Sequence, residues 1–158
     1  MENSTRRPEF LIKSSLPIVH PGCLIMRALG MDPNKSSHSG NSPLTIFVVD
    51  DEPMLLDLAV TILQPMGFNV QTYRDPLKAL KEFPNIRPAL LVTDYSMDGM
   101  NGLELLRECR HINPGQKVLL LSGTVDETIF ANEPDKPNKY LAKPYQIRDL
   151  VEAIKSLI

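Results

Sequence analysis

Polar side chains stand directly after four short apolar runs in this 158-residue chain: Asp50 and Asp51 after Thr45–Val49, Asp94 after Ala89–Thr93, Ser122 after Val118–Leu121, and Lys143 after Lys139–Ala142. Carboxylates are hard oxygen donors that suit a small divalent cation, and an ionised aspartate is a nucleophile toward phosphorus. An ammonium and a hydroxyl can balance or hydrogen-bond the charge on phosphoryl oxygens. The set is scattered from position 50 to position 143, so its chemistry depends on a fold that collects the ends of those runs.

The runs have the composition such a fold needs. From Leu44 onward, short β-branched or leucine-rich stretches alternate with segments of helical period, the signature of a βαβ succession and a parallel sheet buried on both faces. Thr45–Val49 is the first strand, and a helix opens at Pro53 with Leu55, Ala59, Ile62, Leu63 and Met66 on one face, ending early or kinking at Pro65 before Gly67. Phe68–Tyr73 is the second strand. Asp75 caps a helix that opens at Pro76 and is stopped by Pro84. Ala89–Thr93 is followed by a loop to Gly102 and a helix with Leu103, Leu106 and Cys109 inward. After Val118–Leu121, a helix is expected over about Val125–Asn132, before Pro134 and Pro137. Lys139–Ala142 is the last strand, and Ile147, Leu150, Val151, Ile154, Leu157 and Ile158 form the apolar stripe of the last helix. In such a sheet all strand ends of one polarity share an edge, where ligands bind at the reversal of strand order.

Four motifs, in order and each at a strand end, resemble a known family: Phe47-Val-Val-Asp-Asp-Glu-Pro53, Val92-Thr-Asp-Tyr-Ser-Met97 with Gly102 eight residues after Asp94, Leu120-Leu-Ser-Gly123, and Tyr140-Leu-Ala-Lys-Pro144. Over residues 44–158 the chain resembles the receiver domain of two-component response regulators, of the stand-alone, chemotaxis-regulator-like type. The resemblance implies a flavodoxin-like (βα)5 fold, α/β and doubly wound, with a five-stranded parallel sheet of order 2-1-3-4-5. It implies Asp94 as phosphoacceptor, with Mg2+ held by Asp50, Asp51, Asp94 and the Ser96 carbonyl. Lys143 and Ser122 then bind the phosphoryl group, and Tyr140 follows Ser122 as a switch. The implied donor is a histidine kinase or a histidine phosphotransfer protein, and the output is binding to a further protein.

Each residue also has a structural reading. Asp51 can cap the first helix, Asp94 and Ser122 can be turn residues, Lys143 a solvated lysine beside Pro144, and Tyr140 a packing aromatic. Two rival functions follow: a degenerate receiver that binds partners without phosphorylation, or a metal-dependent phosphohydrolase using Asp94. The latter wants a second acid two residues on, where this chain has Ser96. Ser96 and Thr124, small and polar, leave water access to the site. Departures from the family pattern are Asp98 in place of the usual loop proline, Pro65 in the first helix, and the proline-bearing stretch before the last strand.

Residues 1–43 are expected to be a disordered extension, and Met31 is a candidate alternative start. They hold five Lys and Arg against three Asp and Glu, leaving twelve against sixteen in the remainder. An acidic body without a basic cluster argues against nucleic-acid binding. Nothing in the sequence approaches the run of about 20 apolar residues that a membrane helix needs. Two cysteines, Cys23 and Cys109, offer no disulfide framework, which points to a reducing, cytoplasmic setting. With one domain filling 44–158, no output module is expected within the chain, so its effect passes through a partner.

Overall fold

The computed structural model describes residues 42–123 and 134–158. The expected extension up to residue 41 and the helix expected at Val125–Asn132 lie outside the described residues, as does Thr124.

Five strands, β1 (Thr45–Val49), β2 (Asn69–Tyr73), β3 (Leu90–Asp94), β4 (Val118–Ser122) and β5 (Lys139–Ala142), form one sheet in the order β2-β1-β3-β4-β5. Every pairing is parallel. The sequence specifies this arrangement through the two-residue period of strand side chains. Ile46, Val48, Leu90, Val92, Leu119 and Leu121 point to one face, where they pack on α1 (Pro53–Leu63) and the last helix, α4 (Ile147–Lys155). Phe47, Val49, Leu91, Val118 and Leu120 point to the other, beneath α2 (Pro76–Ile86) and α3 (Gly102–Ile112). Both faces are covered over the three central strands, so β1, β3 and β4 are buried almost end to end, whereas the edge strands β2 and β5 keep exposed and half-buried polar residues.

The helices start and stop for local reasons, one of which differs from expectation, as does the inward face of α1. In α1 the deepest side chains are Leu56, Ala59, Ile62 and Leu63, whereas Leu55 is half-buried and lies toward the end of the sheet that carries Asp50. Pro65 ends the α-helix as expected: a single 3-10 turn, Gln64–Met66, is closed by Gly67 at φ 91°. Pro84, expected to stop α2, instead lies inside it. Proline's fixed φ suits a helix, and its cost is the missing N–H that would have bonded the Leu80 carbonyl. Burial of Phe83 and partial burial of Ile86 on either side carry the helix past it, and the turn ends at Arg87, with φ 48° and its N–H donating to the Phe83 carbonyl. Asp75 caps α2 as read, accepting from the Leu77 N–H at 2.9 Å.

Cys109 faces the interior under α3, and burial, with a smaller contribution from Glu108, pushes its thiol up to about 12. A thiol so protonated is a poor nucleophile. Iodoacetamide at mildly alkaline pH is therefore expected to leave the Cys109 peptide unmodified in the folded protein and to modify it in guanidinium. Peptide mass mapping reads this directly, and labelling of the native protein at Cys109 would contradict the packing.

Candidate functional site

The carboxyl ends of β1, β3, β4 and β5 meet at one edge. Asp50 follows β1 directly and is only 2 % exposed. Its N–H donates to the Tyr73 carbonyl at the end of β2, 3.1 Å away, which fixes its backbone. Asp94 is the last residue of β3 and 6 % exposed. Ser122 closes β4 and is fully buried, and its carbonyl accepts from the Lys143 N–H at 2.7 Å. Lys143 leaves the end of β5 with a side chain that is 24 % exposed.

That lysine joins the site. Its ammonium lies 2.9 Å from Asp50 Oδ2 and 2.6 Å from Asp94 Oδ1. The remaining carboxylate oxygens are held by main-chain donors: Asp50 Oδ1 accepts from the Glu52 N–H at 2.9 Å, and Asp94 Oδ2 from the Ser96 N–H at 2.7 Å. Burial raises the Asp50 carboxyl above the ordinary aspartate value, although the Glu52 N–H and the Lys143 ammonium pull it the other way. Burial alone would lower the Lys143 ammonium, but its bonds to Asp94 and Asp50 prevail and its pKa stands above the ordinary lysine value. The pair of acids is thus kept beside a charged lysine.

The other expected residues take different places. Asp51 is exposed, and it does not cap α1: that position belongs to Glu52, whose N–H is satisfied by Asp50. Ser96 is exposed in the loop after β3. Tyr140 is half-buried against the Phe47 side of the core, and its hydroxyl lies 3.5 Å from the Ser122 carbonyl as donor. Asp98 is exposed next to Gly99, which adopts φ 82°.

Among the described residues, no three His, Cys, Asp or Glu side chains come together closely enough to hold a metal ion. Asp50 and Asp94 come together, around the ammonium. The donor set nevertheless suits a hard cation: two carboxylates already share one positive centre, and a third, on the adjacent Asp51, is solvent-facing.

The sequence reading missed what carries Asp94 into place. Asn101 and Glu104 make a capping box, in which the Asn101 side chain accepts from the N–H groups of Leu103 and Glu104 and Glu104 accepts from the Asn101 N–H. The signal, an Asn three residues before a Glu, was present. Gly102, noted only for its spacing, is where α3 passes under the site. A Cβ there would overlap the Asp94 carbonyl oxygen and come within 2.8 Å of Leu120 Cδ1. Gly102→Ala is expected to lower stability by about 1–3 kcal/mol, since main chain cannot yield as a flexible side chain can. A urea denaturation midpoint equal to that of the parent would refute this packing.

Comparison with known proteins agrees with this geometry. The family model described as response regulator receiver domain matches residues 46–155. A probable transcriptional regulatory protein of Mycobacterium tuberculosis, TcrX, is 34 % identical over 118 residues, 73 % of this chain and 50 % of that protein. The crystal structure of a response regulator receiver domain protein from Clostridium thermocellum superposes with a TM-score of 0.67 at 30 % identity, covering 73 % of this chain and 94 % of that one. That of the response regulator TrrA from Thermotoga maritima, in complex with Mg2+–BeF, gives 0.64 at 29 % identity, covering 73 % and 99 %. The chain spans about half the length of the curated relatives it matches. Among the described residues, no helix is long and apolar enough to cross a membrane. With its strand order, its paired acids and its strand-end lysine all of one pattern, the chain belongs to the response regulator receiver domain family.

Proposed function

We propose that this protein is a phosphoryl-accepting switch in which Asp94 takes a phosphoryl group from a phosphohistidine and the change is read by a partner protein. The single observation that carries the reading is the Lys143 ammonium held between Asp50 and Asp94 at the edge where strand ends converge.

In this reading an Asp94 carboxylate oxygen attacks the phosphorus in line, the P–N bond to the donor imidazole breaks, and an acyl phosphate forms. Lys143, 2.6 Å from Asp94 Oδ1 beforehand, neutralises the oxygens being transferred. Asp50, Asp51 and Asp94 with the Ser96 carbonyl would hold Mg2+, which supplies further charge neutralisation at those oxygens. The Ser96 N–H, on Asp94 Oδ2, orients the nucleophile.

Ser122 is the group placed to bond a phosphoryl oxygen. Its carbonyl is shared by the Lys143 N–H and the Tyr140 hydroxyl, so a shift at Ser122 is transmitted along β5. We assign residues 44–158 to the receiver, with 1–43 as an extension, in a cytoplasmic setting consistent with the free, buried thiol of Cys109. The donor is a histidine kinase or a histidine phosphotransfer protein. No nucleic-acid contact is assigned to this acidic edge. A phosphohydrolase is disfavoured because Ser96, two residues beyond Asp94, supplies no second acid. A phosphorylation-independent binder would have no use for a paired-acid and lysine cluster.

Incubation with acetyl phosphate and Mg2+ is expected to add one phosphoryl group by mass spectrometry, mapped to Asp94, with Asp94→Asn at background. Undiminished labelling of Asp94→Asn would dismiss the assignment, and sustained release of phosphate from unrelated phosphoesters would favour the hydrolase.

A further inference from the structure

A second cation stands at the rim of this site. Arg74 follows β2 directly and reaches across to the loop after β1, where its Nε donates to the Asp51 main-chain carbonyl at 3.3 Å. The preceding residue, Tyr73, accepts the Asp50 N–H. The end of β2 therefore holds the main chain of both Asp50 and Asp51. Arg74 is exposed, and its terminal amino groups make no hydrogen bond or ion pair among the described residues. A guanidinium is a fixed fork of donors matched to phosphate and carboxylate oxygens.

The charge around it is one-sided. Among the described residues, the strand ends and the turns that follow them carry Asp50, Asp51, Glu52, Asp75, Asp94 and Asp98 against only Lys143 and Arg74. Lys143 is committed to two carboxylates, whereas Arg74 is bonded to a neutral carbonyl. A phosphoryl donor arrives as an anion and meets an acidic edge. The charge that such a donor can engage without breaking an existing ion pair is that of Arg74.

We propose that Arg74 is a positioning residue for the phosphodonor, its guanidinium drawing the anionic phosphoryl oxygens to the rim beside Asp51 and, by the same charge, opposing a divalent cation there. This rests on the phosphoacceptor reading of Asp94. The competing role is a purely mechanical one, in which Arg74 only braces the loop after β1. The two differ in sign. Loss of a brace loosens the acidic pair and weakens anion and cation binding together. Loss of a steering charge weakens the anion and strengthens the cation.

Arg74→Met and Arg74→Lys separate them, using acetyl phosphate as donor at low and high ionic strength and, independently, Mg2+ alone by calorimetric titration of the full chain. For Arg74→Met the expected result is a KM for acetyl phosphate, the concentration giving half the limiting labelling rate, raised about two- to fivefold, the scale of one exposed charge, with the limiting rate of Asp94 labelling unchanged. The rise should vanish at high salt, Mg2+ should bind more tightly than to the parent, and Arg74→Lys should restore both values. An unchanged KM, a rise that salt does not screen, or weaker Mg2+ binding in Arg74→Met would each overturn the inference. If the parent protein is not labelled at Asp94 at all, the phosphoacceptor reading fails and this inference fails with it. A labelled parent with an indifferent Arg74→Met defeats the inference alone.

Discussion

Two carboxylates buried at one sheet edge repel each other, and much of this structure follows from how that repulsion is relieved. Unit charges about 5 Å apart, at the effective dielectric of about 20 typical near a protein surface, repel by about 3 kcal/mol. Asp50 and Asp94 escape this because one ammonium is bonded to both. The residue that supplies it comes from β5, and β4 lies between β5 and the strand that carries Asp94. Neighbouring strands are about 4.8 Å apart, so the cation must reach across at least two such spacings. A lysine, with its long flexible stem, can do so from the turn beyond its strand, passing over the strand that ends at Ser122.

The opposite end of the sheet prepares that reach. Arg110 of α3 donates to the Lys136 carbonyl at 2.8 Å and to the Asn138 side chain at 3.0 Å, and the same Asn138 oxygen accepts the Val118 N–H at 2.9 Å. The start of β5 is thereby tied to β4 and to α3 before the parallel ladder begins. Register set there runs up through Leu119–Lys139 to Ser122–Ala142, so that Lys143 arrives beside Ser122. Its N–H bonds the Ser122 carbonyl, the same atom that the Tyr140 hydroxyl approaches. Lys143, which balances the acids, and Tyr140 thus meet at one acceptor, the Ser122 carbonyl.

Much of this was legible beforehand because the sheet is buried on both faces. The three central strands, β1, β3 and β4, are apolar over most of their length, and the residue that ends each run is polar, which marks the site edge without any tertiary information. Asp75 and Pro76 announced α2, and Pro65 with Gly67 announced the end of α1. Pro84 misled because proline punctuates helices on average, while here Phe83 and Ile86 hold the turn against the core. The capping box at Asn101 was readable by spacing but lay in a loop whose interest was Asp94. Leu55 and Leu56 are adjacent and equally apolar, so helical period alone could not say which would be deeper.

What the sequence by itself determined is the inventory: five runs too short for anything but strands, the helices that follow four of them, and acids, a hydroxyl and a lysine standing where runs end. Period and composition encode these because they act over a few residues. Tertiary structure alone decided which of the acids are partners. Asp50 and Asp51 are neighbours of the same type, yet one is buried on Lys143 and the other faces water, because successive residues leaving a strand point in opposite directions. It also decided that Gly102 must lack a side chain and that Arg74 meets Asp51. Both depend on distances across the sheet edge, which no local pattern records.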